Sequence, residues 1–306
     1  MPNRPYYRLA IGFLAILALA FLSLAQKSSP EIQKLRSLID KADDLSDALE
    51  EVPEAAVDAG PEAIPVLREI LARGPKDRGD IAAVALAYIG GETAVDLLWQ
   101  RYKATKDPSS KALLAMAMSS TPLTAKKRAF LESCLKGEHF GDTWMPIVSA
   151  AFSLGVLRAS ESREALERTA KKTPESIASG AAKEALRWIA FGKWNLEASS
   201  LAKIEPPVAA VLRNGVPRTD EAERFSDSDR HLDWIREGAT WRVQEADRQG
   251  GVPSLSFDVH MSPDGMRALV SVGVTFGSKN GVGYNYVLRK AGAEWVVQSV
   301  FFAWIS

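Results

Sequence analysis

Residues 60–192 repeat one pattern of paired helices, and this repeat limits the folds open to the chain more than any other feature. Helices rich in small and aliphatic residues end near residues 90, 119, 155 and 191, at intervals of 29, 36 and 36 residues. The first is followed by an amphipathic helix from Thr93 to Tyr102. A helix pair of this kind cannot bury its apolar face alone and must stack on its neighbours. The pattern therefore predicts a stack of helix pairs.

Two alanine-rich runs carry a family resemblance. Residues 83–90 and 150–155 each close on an aliphatic residue and a glycine, so both glycines are predicted to end their helices. In these runs the chain resembles the HEAT-like helical repeat family, over about residues 60–192. The resemblance implies a curved helical stack that binds other proteins, and it carries no catalytic residues over to this chain.

Helical periodicity also extends to both sides of the repeat. Apolar spacing predicts one helix from Glu31 to Glu51, and two further helices over residues 207–213 and about 228–237. Pro206 and Pro207 break the repeat pattern, so a domain boundary is expected near residue 204. The expected units are a signal segment over residues 1–25, a helical repeat domain over 26–204 and an α+β domain over 205–306.

The last part of the chain alternates between apolar and polar residues and is rich in turn signals. Strands are predicted over residues 240–246, 254–261, 266–276, 283–290 and 294–305. Ser262 to Gly265 and the Asn280-Gly281 pair have the composition of hairpin turns. The predicted fold class is α+β, with an N-terminal all-α HEAT-like stack followed by a small domain with an antiparallel β-meander.

The final hairpin carries a second resemblance. It contains Tyr284-x-Tyr286-x-Leu288-x-Lys290 and Trp295-Val296-Val297, after helices and a meander in the same order. In this arrangement residues 205–306 resemble the nuclear transport factor 2-like superfamily. The resemblance implies a cone-shaped pocket that serves either catalysis or binding.

Charge and cysteine content exclude several classes of function. Lys and Arg together number 38, as do Asp and Glu, so the chain has no basic surplus and we expect no nucleic-acid partner. The single cysteine, Cys134, excludes internal disulfides and Cys-rich metal sites, and its apolar neighbours predict a buried thiol. Neither a metal nor any other cofactor is predicted.

The N-terminus has the pattern of a secretory signal. Arg4 and Arg8 precede an apolar run from Leu9 to Ala25, and small residues at its end predict cleavage before Gln26. The alternative is an uncleaved membrane anchor. In either case the rest of the chain is expected outside the membrane, periplasmic or secreted, and would touch the membrane through this segment alone if it stays.

One polar face of the meander is the first candidate site. Asp258 and His260 alternate away from the apolar residues of their strand, and the hairpin brings His260 near Arg267. Arg289 and Asn285 could share this face. Together these groups could bind an anion or support proton transfer. The alternative is an ordinary solvated face of a half-buried sheet.

A second candidate site is an apolar pocket lined by Trp241, Tyr286 and Trp295. No residues are assigned as catalytic, because the three histidines are scattered and no nucleophile–base spacing is found. The sequence thus favours an exported, non-enzymatic scaffold that binds an unidentified protein partner through its helical stack. The alternatives are a ligand-binding or catalytic cup in the C-terminal domain and a purely structural spacer.

Overall fold

The α+β layout expected from the sequence is confirmed in a computed structural model of the chain. It describes residues 29–42, 45–119, 123–137, 144–172, 176–191, 204–214, 232–237, 240–245, 254–277 and 280–305. The predicted signal segment over residues 1–25 lies outside these ranges, so its cleavage or retention stays a prediction. A helical array occupies the N-terminal part, and an antiparallel sheet follows it.

The helices are numbered here in chain order. They are α1 (Pro30–Lys41), α2 (Leu45–Ala59), α3 (Ile64–Arg73), α4 (Lys76–Ile89), α5 (Gly91–Ala104), α6 (Pro108–Ser119), α7 (Ala125–Cys134), α8 (Met145–Val156), α9 (Arg163–Lys172), α10 (Ile177–Phe191) and α11 (Pro206–Asn214). Short 3₁₀ turns at Gly60–Ala63 and Ser160–Ser162 precede α3 and α9.

Side-chain caps begin several of these helices. The Ser29 hydroxyl accepts a hydrogen bond from the Ile32 amide at 3.3 Å, and Pro30 provides the fixed φ of a first helical position. The side chains of Asp107 and Thr124 cap α6 and α7 in the same way, because they accept hydrogen bonds from the amides of Ser110 and Lys127. Each cap satisfies one of the backbone donors that a helix start leaves without a partner.

The helices form two rows. Helices α2, α4, α6, α8 and α10 contact one another in that order and make the inner row. Helices α1, α3, α5, α7 and α9 make the outer row, and each packs on an inner neighbour. The inner helices are rich in buried alanines, and small side chains let helix axes approach closely.

The single helix predicted from Glu31 to Glu51 is wrong. The structure has two helices there, because α1 ends at Lys41 and α2 begins at Leu45. At the end of α1, Ala42 adopts an extended backbone with ψ 119°, so the helix cannot continue. The apolar spacing of residues 31–51 runs across this break and hides it.

Only one of the two glycines predicted as helix ends has that role. Gly90 follows the last residue of α4 with φ 70°, as expected for a helix end. Gly155 instead lies inside α8, which continues to Val156, so the predicted end is wrong. A Cβ built on Gly155 would lie 2.7 Å from the Cα of Ala185 in α10. The glycine is therefore explained by the close approach of two inner helices.

Six antiparallel strands form one sheet in sequence order. They are β1 (Leu232–Glu237), β2 (Thr240–Glu245), β3 (Ser254–Met261), β4 (Arg267–Gly277), β5 (Asn280–Ala291) and β6 (Glu294–Ile305). The five predicted strands are confirmed as β2 to β6. The turn between β3 and β4 has Gly265 at φ 66° and a 2.8 Å bond from its amide to the Ser262 carbonyl, as its composition predicts.

Strand β1 replaces the C-terminal part of the helix predicted over residues 228–237. Its residues pair with β2 from Leu232↔Glu245 to Glu237↔Thr240, which leaves two residues between the strands. The beginning of the predicted helix, residues 228–231, lies outside the described ranges. Pairing with β2 overrides the weak helical spacing of this short segment.

The sheet lies between two helical layers. On one face, Leu269 and Val287 join the core cluster of the inner row, and strand β4 contacts α2 while β6 contacts α8. On the other face, Val270 and Tyr286 pack with Val208 and other residues of α11. The sheet is therefore covered on both sides, and it occupies part of the inner surface of the helical array.

Candidate functional site

The end of helix α2 holds a histidine of the sheet. His260 Nε2 lies 2.7 Å from Asp58 Oδ1, and His260 Nδ1 lies 3.6 Å from Glu54 Oε2. The Asp58 side chain is 10% exposed and the His260 side chain is 28% exposed. A carboxylate with so little access to water depends on protein partners more than a surface carboxylate does.

Arg267 reaches the same end of α2. Its Nη2 donates to the Asp58 carbonyl at 3.1 Å and to the Asp264 carboxylate at 2.9 Å. Its Nη1 lies 3.6 Å from Glu62 Oε2. A cation at the last turn of a helix complements the negative end of the helix dipole and satisfies a free carbonyl. We call Asp58, His260 and Arg267 the junction clamp, because they join the sheet to the helical array.

The structure brings some of the predicted polar residues together and separates others. His260 and Arg267 meet at Asp58, as described above. Asp258 is exposed on β3 opposite Ser271, and Arg289 is exposed on β5 opposite Arg267. The carboxylates of Glu54, Asp58, Glu62 and Asp264 surround the two basic side chains of the clamp. These acids would repel an added anion. The arrangement therefore favours a role for the clamp as a contact between the sheet and α2.

The predicted aromatic pocket residues lie on the α11 side of the sheet or along it. Tyr286 is fully buried in the cluster with α11, where burial raises the pKa of its hydroxyl. Trp295 is half-buried and packs against the same cluster. Trp241 lies in β2, where its backbone pairs with Arg236 in β1 and with Phe257 in β3. Neither Tyr286 nor Trp295 lines the cleft described next.

An apolar cleft of about 190 Å³ lies between the inner row and the sheet. Its walls come from α4, α6 and α8 on one side and from β5 and β6 on the other, and they include Val84, Met116, Phe152, Val300 and Phe301. The sheet contacts α2 and α4 on one side of α6 and α8 and α10 on the other, and the cleft lies against α6 between these contacts. The cleft therefore follows from the way the sheet spans the array.

Tyr88 and Asn285 form a polar corner of the cleft, and the serines Ser119 and Ser149 also line it. Ser271 Oγ donates to Asn285 Oδ1 at 2.8 Å, and Asn285 Nδ2 donates to the Tyr88 hydroxyl at 3.0 Å. The Tyr88 ring stacks on Phe301 with ring centroids 3.8 Å apart and 6° between their planes. Burial raises the pKa of Tyr88 to about 12, so the hydroxyl keeps its proton at neutral pH.

Two open grooves lie on the outer row. The groove between α3 and α5 has a volume of about 600 Å³ and is lined by Arg68, Asp96 and Arg101 among others. The groove between α7 and α9 has a volume of about 510 Å³, and its lining includes Glu132, Lys136, Arg168 and Lys172. In contrast to the cleft, both grooves carry charged side chains.

Comparison with known proteins provides no family for this chain. It matches neither a protein-family model nor a curated protein sequence. The likenesses to the HEAT-like family and the nuclear transport factor 2-like superfamily thus stay predictions. Within the described ranges, no helix is both long and apolar enough to span a membrane. The same residues contain no group of three or more acidic, histidine or cysteine side chains that could hold a metal ion.

Sequence reasoning did not single out the residues of the cleft. Tyr88 and Phe301 are far apart in sequence, and each belongs to an element whose apolar pattern has an ordinary core explanation. One signal was available in α4, where every residue from Ile81 to Ile89 is apolar in the sequence, and all of them are buried in the structure. A helix that is apolar all round must be covered on more than one side. Its composition therefore indicated a further layer over the inner row, but not which segment supplies it.

Proposed function

We propose that this chain is an exported, non-enzymatic scaffold that binds a partner protein through the outer row of its helices. One observation carries the proposal: the chain's own sheet covers the inner row, whereas the α3–α5 and α7–α9 grooves stay open at about 600 and 510 Å³. Helical arrays commonly bind partners through extended surfaces of this kind. The outer grooves are therefore the surface that the array offers to a partner.

The charges in the grooves favour an acidic partner segment. Two arginines and one aspartate line the first groove, and the aspartate, Asp96, is already engaged by Lys126 at 2.9 Å. One glutamate, two lysines and one arginine line the second groove, and the arginine, Arg168, is engaged by Glu164 of the same helix. Each groove thus has a positive surplus in a chain whose net charge is zero. Complementary charge speeds association and excludes basic partners more than it adds affinity.

The non-enzymatic part of the proposal is supported by the environment of His260. The His260 imidazole is the group on the polar face best suited to proton transfer at neutral pH. It is held against Asp58 and Glu54 at the end of α2. Its two ring nitrogens face carboxylates of the chain itself, which gives it a role in joining two layers. A general base must instead lie within hydrogen-bond reach of a substrate proton.

Site-specific photo-crosslinking of the full chain in its native envelope tests the scaffold proposal. A photoreactive residue placed at Gln100, in the first groove, should yield a defined adduct with a partner protein. The charge reversal Arg68→Glu should lower the yield of that adduct. Arg168→Glu should lower the yield of an adduct formed from the second groove. Both side chains are exposed, so neither change should unfold the array.

Lys34→Glu is the matched control, because it reverses an exposed charge on α1, outside both grooves. It should leave the adduct yield unchanged. If a photoreactive residue at Lys34 gave the same adducts as one at Gln100, or if no groove substitution changed the yield, outer-row binding would be wrong.

Export is the second part of the proposal, and its support is the pattern of Arg4, Arg8 and the run from Leu9 to Ala25. Fractionation of cells that produce the full chain should place it outside the inner membrane. The mass of the isolated protein then separates the two alternatives, because a cleaved chain begins at Gln26 and an anchored chain keeps its first residues. Recovery of the whole chain from the cytoplasm would contradict export.

A further inference from the structure

The cleft between the inner row and the sheet has the size and lining of a small-molecule site. Its volume of about 190 Å³ is larger than the roughly 150 Å³ apolar cavity that is known to stay dry and accept benzene. Met116 and Met145 line it, and methionine side chains adapt readily to the shape of a guest. The space therefore suits one ring, or a short chain of similar volume.

The charge of the lining restricts the ligand further. Within the described part of the chain, none of the residues that line the cleft carries a charged side chain. A charged ligand would lose its hydration there without gaining a counter-ion, which is strongly unfavourable. The site thus selects an uncharged molecule.

The polar corner supplies a hydrogen-bond donor. The Tyr88 hydroxyl accepts from Asn285 Nδ2, whose amide oxygen is in turn held by Ser271. The described residues provide no acceptor for the Tyr88 proton, and this side chain is 6% exposed and lines the cleft. A buried donor without an acceptor is costly, and a ligand acceptor would remove that cost. We propose that the cleft binds a small, uncharged, single-ring or short-chain molecule whose carbonyl or hydroxyl oxygen accepts from Tyr88.

This site is separate from the outer grooves, so it goes beyond the scaffold proposal and stands or falls independently of it. Tyr88 lies on an inner helix, whereas the grooves are formed by α3, α5, α7 and α9. A partner protein and a small ligand could therefore occupy the molecule together.

Three probes of similar size test the proposal on the full chain. Acetophenone has a ring and a carbonyl, ethylbenzene lacks the acceptor, and benzoate carries a charge. With ¹³C-methyl methionine labels, acetophenone should shift the Met116 and Met145 resonances in a saturable way, while the exposed Met261 and Met266 stay unchanged. Benzoate should bind at least about tenfold more weakly than acetophenone. Equal shifts at all methionines, or none up to the solubility limit, would overturn the proposal.

Tyr88→Phe isolates the hydrogen bond, since it keeps the ring that stacks on Phe301. It should weaken acetophenone binding by about 3- to 10-fold and leave ethylbenzene unchanged. An equal loss for both probes would mean that the hydroxyl does not contact the ligand, and the assignment of its role would be wrong.

Ala303→Trp places a large side chain at a position that lines the cleft, and because Ala303 is exposed the change spares the buried core. This variant should fold as the parent does and lose the methionine shifts with both uncharged probes. Retention of those shifts would place the bound molecule elsewhere and overturn the proposal.

Discussion

At the scale of single residues, the junction clamp depends on Gly60 having no side chain. Its backbone has φ 62°, which disfavours any side chain, and a Cβ there would lie 1.3 Å from Arg267 Nη1. We expect Gly60→Ala to displace the guanidinium from the end of α2. Loss of its bonds to Asp58 and Asp264, added to the backbone strain, should lower the free energy of unfolding by about 2–4 kcal/mol in urea titrations.

Gly292→Ala is the matched control for Gly60→Ala. Gly292 has almost the same backbone angle, φ 65°, but among the described residues beyond its chain neighbours no atom lies within 4 Å of the Cβ position. It should therefore report the backbone strain alone, about 1–2 kcal/mol. Equal losses from the two substitutions would mean that Arg267 contributes nothing measurable to stability.

Cys134 provides a second residue-scale prediction. Its thiol is buried, as the sequence predicts, and burial raises its pKa to about 12. Since the thiolate is the reactive form, the folded chain should not react with a thiol reagent at pH 8 over the time in which the unfolded chain reacts completely. Absorbance of the released chromophore measures both rates. A fast reaction of the native protein would show that α7 opens readily.

At the scale of elements, the packing of α8 on α10 depends on Gly155. A Cβ there would lie 2.7 Å from the Cα of Ala185 and 3.2 Å from the Trp188 ring, so the helices would have to separate. We expect Gly155→Ala to destabilise the chain by about 1–3 kcal/mol, even though alanine is the better helix former. Thermal and urea unfolding followed by circular dichroism would measure the change.

Gly180 offers the opposite case in α10, because no atom of another described element lies within 4 Å of its Cβ position. Gly180→Ala should therefore stabilise the chain by up to about 1 kcal/mol through helix propensity alone. The two substitutions should differ in sign. If both stabilised the protein, the close approach of α8 and α10 would be refuted.

Elements with strong periodicity or turn chemistry could be predicted from the sequence, and those fixed by pairing could not. The alanine-rich helices and strands β2 to β6 were predictable from their composition or alternation together with the turn signals beside them. Strand β1 was not, because six residues with three apolar side chains, Leu232, Trp234 and Ile235, are compatible with either period. Gly155 was misleading for a related reason: a glycine at a helix end and a glycine at a helix contact look alike in one sequence.

At the scale of the whole molecule, the sequence could not reveal that the sheet covers the inner row. His260 and Asp58 are 202 residues apart, and nothing in the spacing of either segment links them. The polar face of the meander was predicted, but its partners are carboxylates of α2, which long-range packing alone brings there. The cleft depends on the same packing, and it was inaccessible to sequence reasoning for that reason.

This cover leads to a prediction about the isolated helical part. A fragment of residues 26–204 would expose inner-row side chains such as Tyr88, Met116 and Phe152, which the sheet now faces. Exposed apolar patches of this kind promote association. The fragment should bind a hydrophobic dye strongly and elute as oligomers in size-exclusion chromatography, whereas the full chain should do neither.

The same fragment with Met116→Gln and Phe152→Gln is a useful control, because it makes the exposed face more polar. It should elute closer to the monomer position than the unmodified fragment. A monomeric, dye-free parent fragment would contradict the view that the sheet protects this surface.

The span of the sheet across the inner row also bears on mechanics. Stacks of helix pairs bend because each unit touches its neighbours alone. Here the sheet contacts α2 through β4 and α8 through β6, which restricts bending between these helices. The two outer grooves are then held at a constant separation. A partner with two acidic segments at the right spacing would gain from bivalent binding, and one with the wrong spacing could not stretch the array to fit.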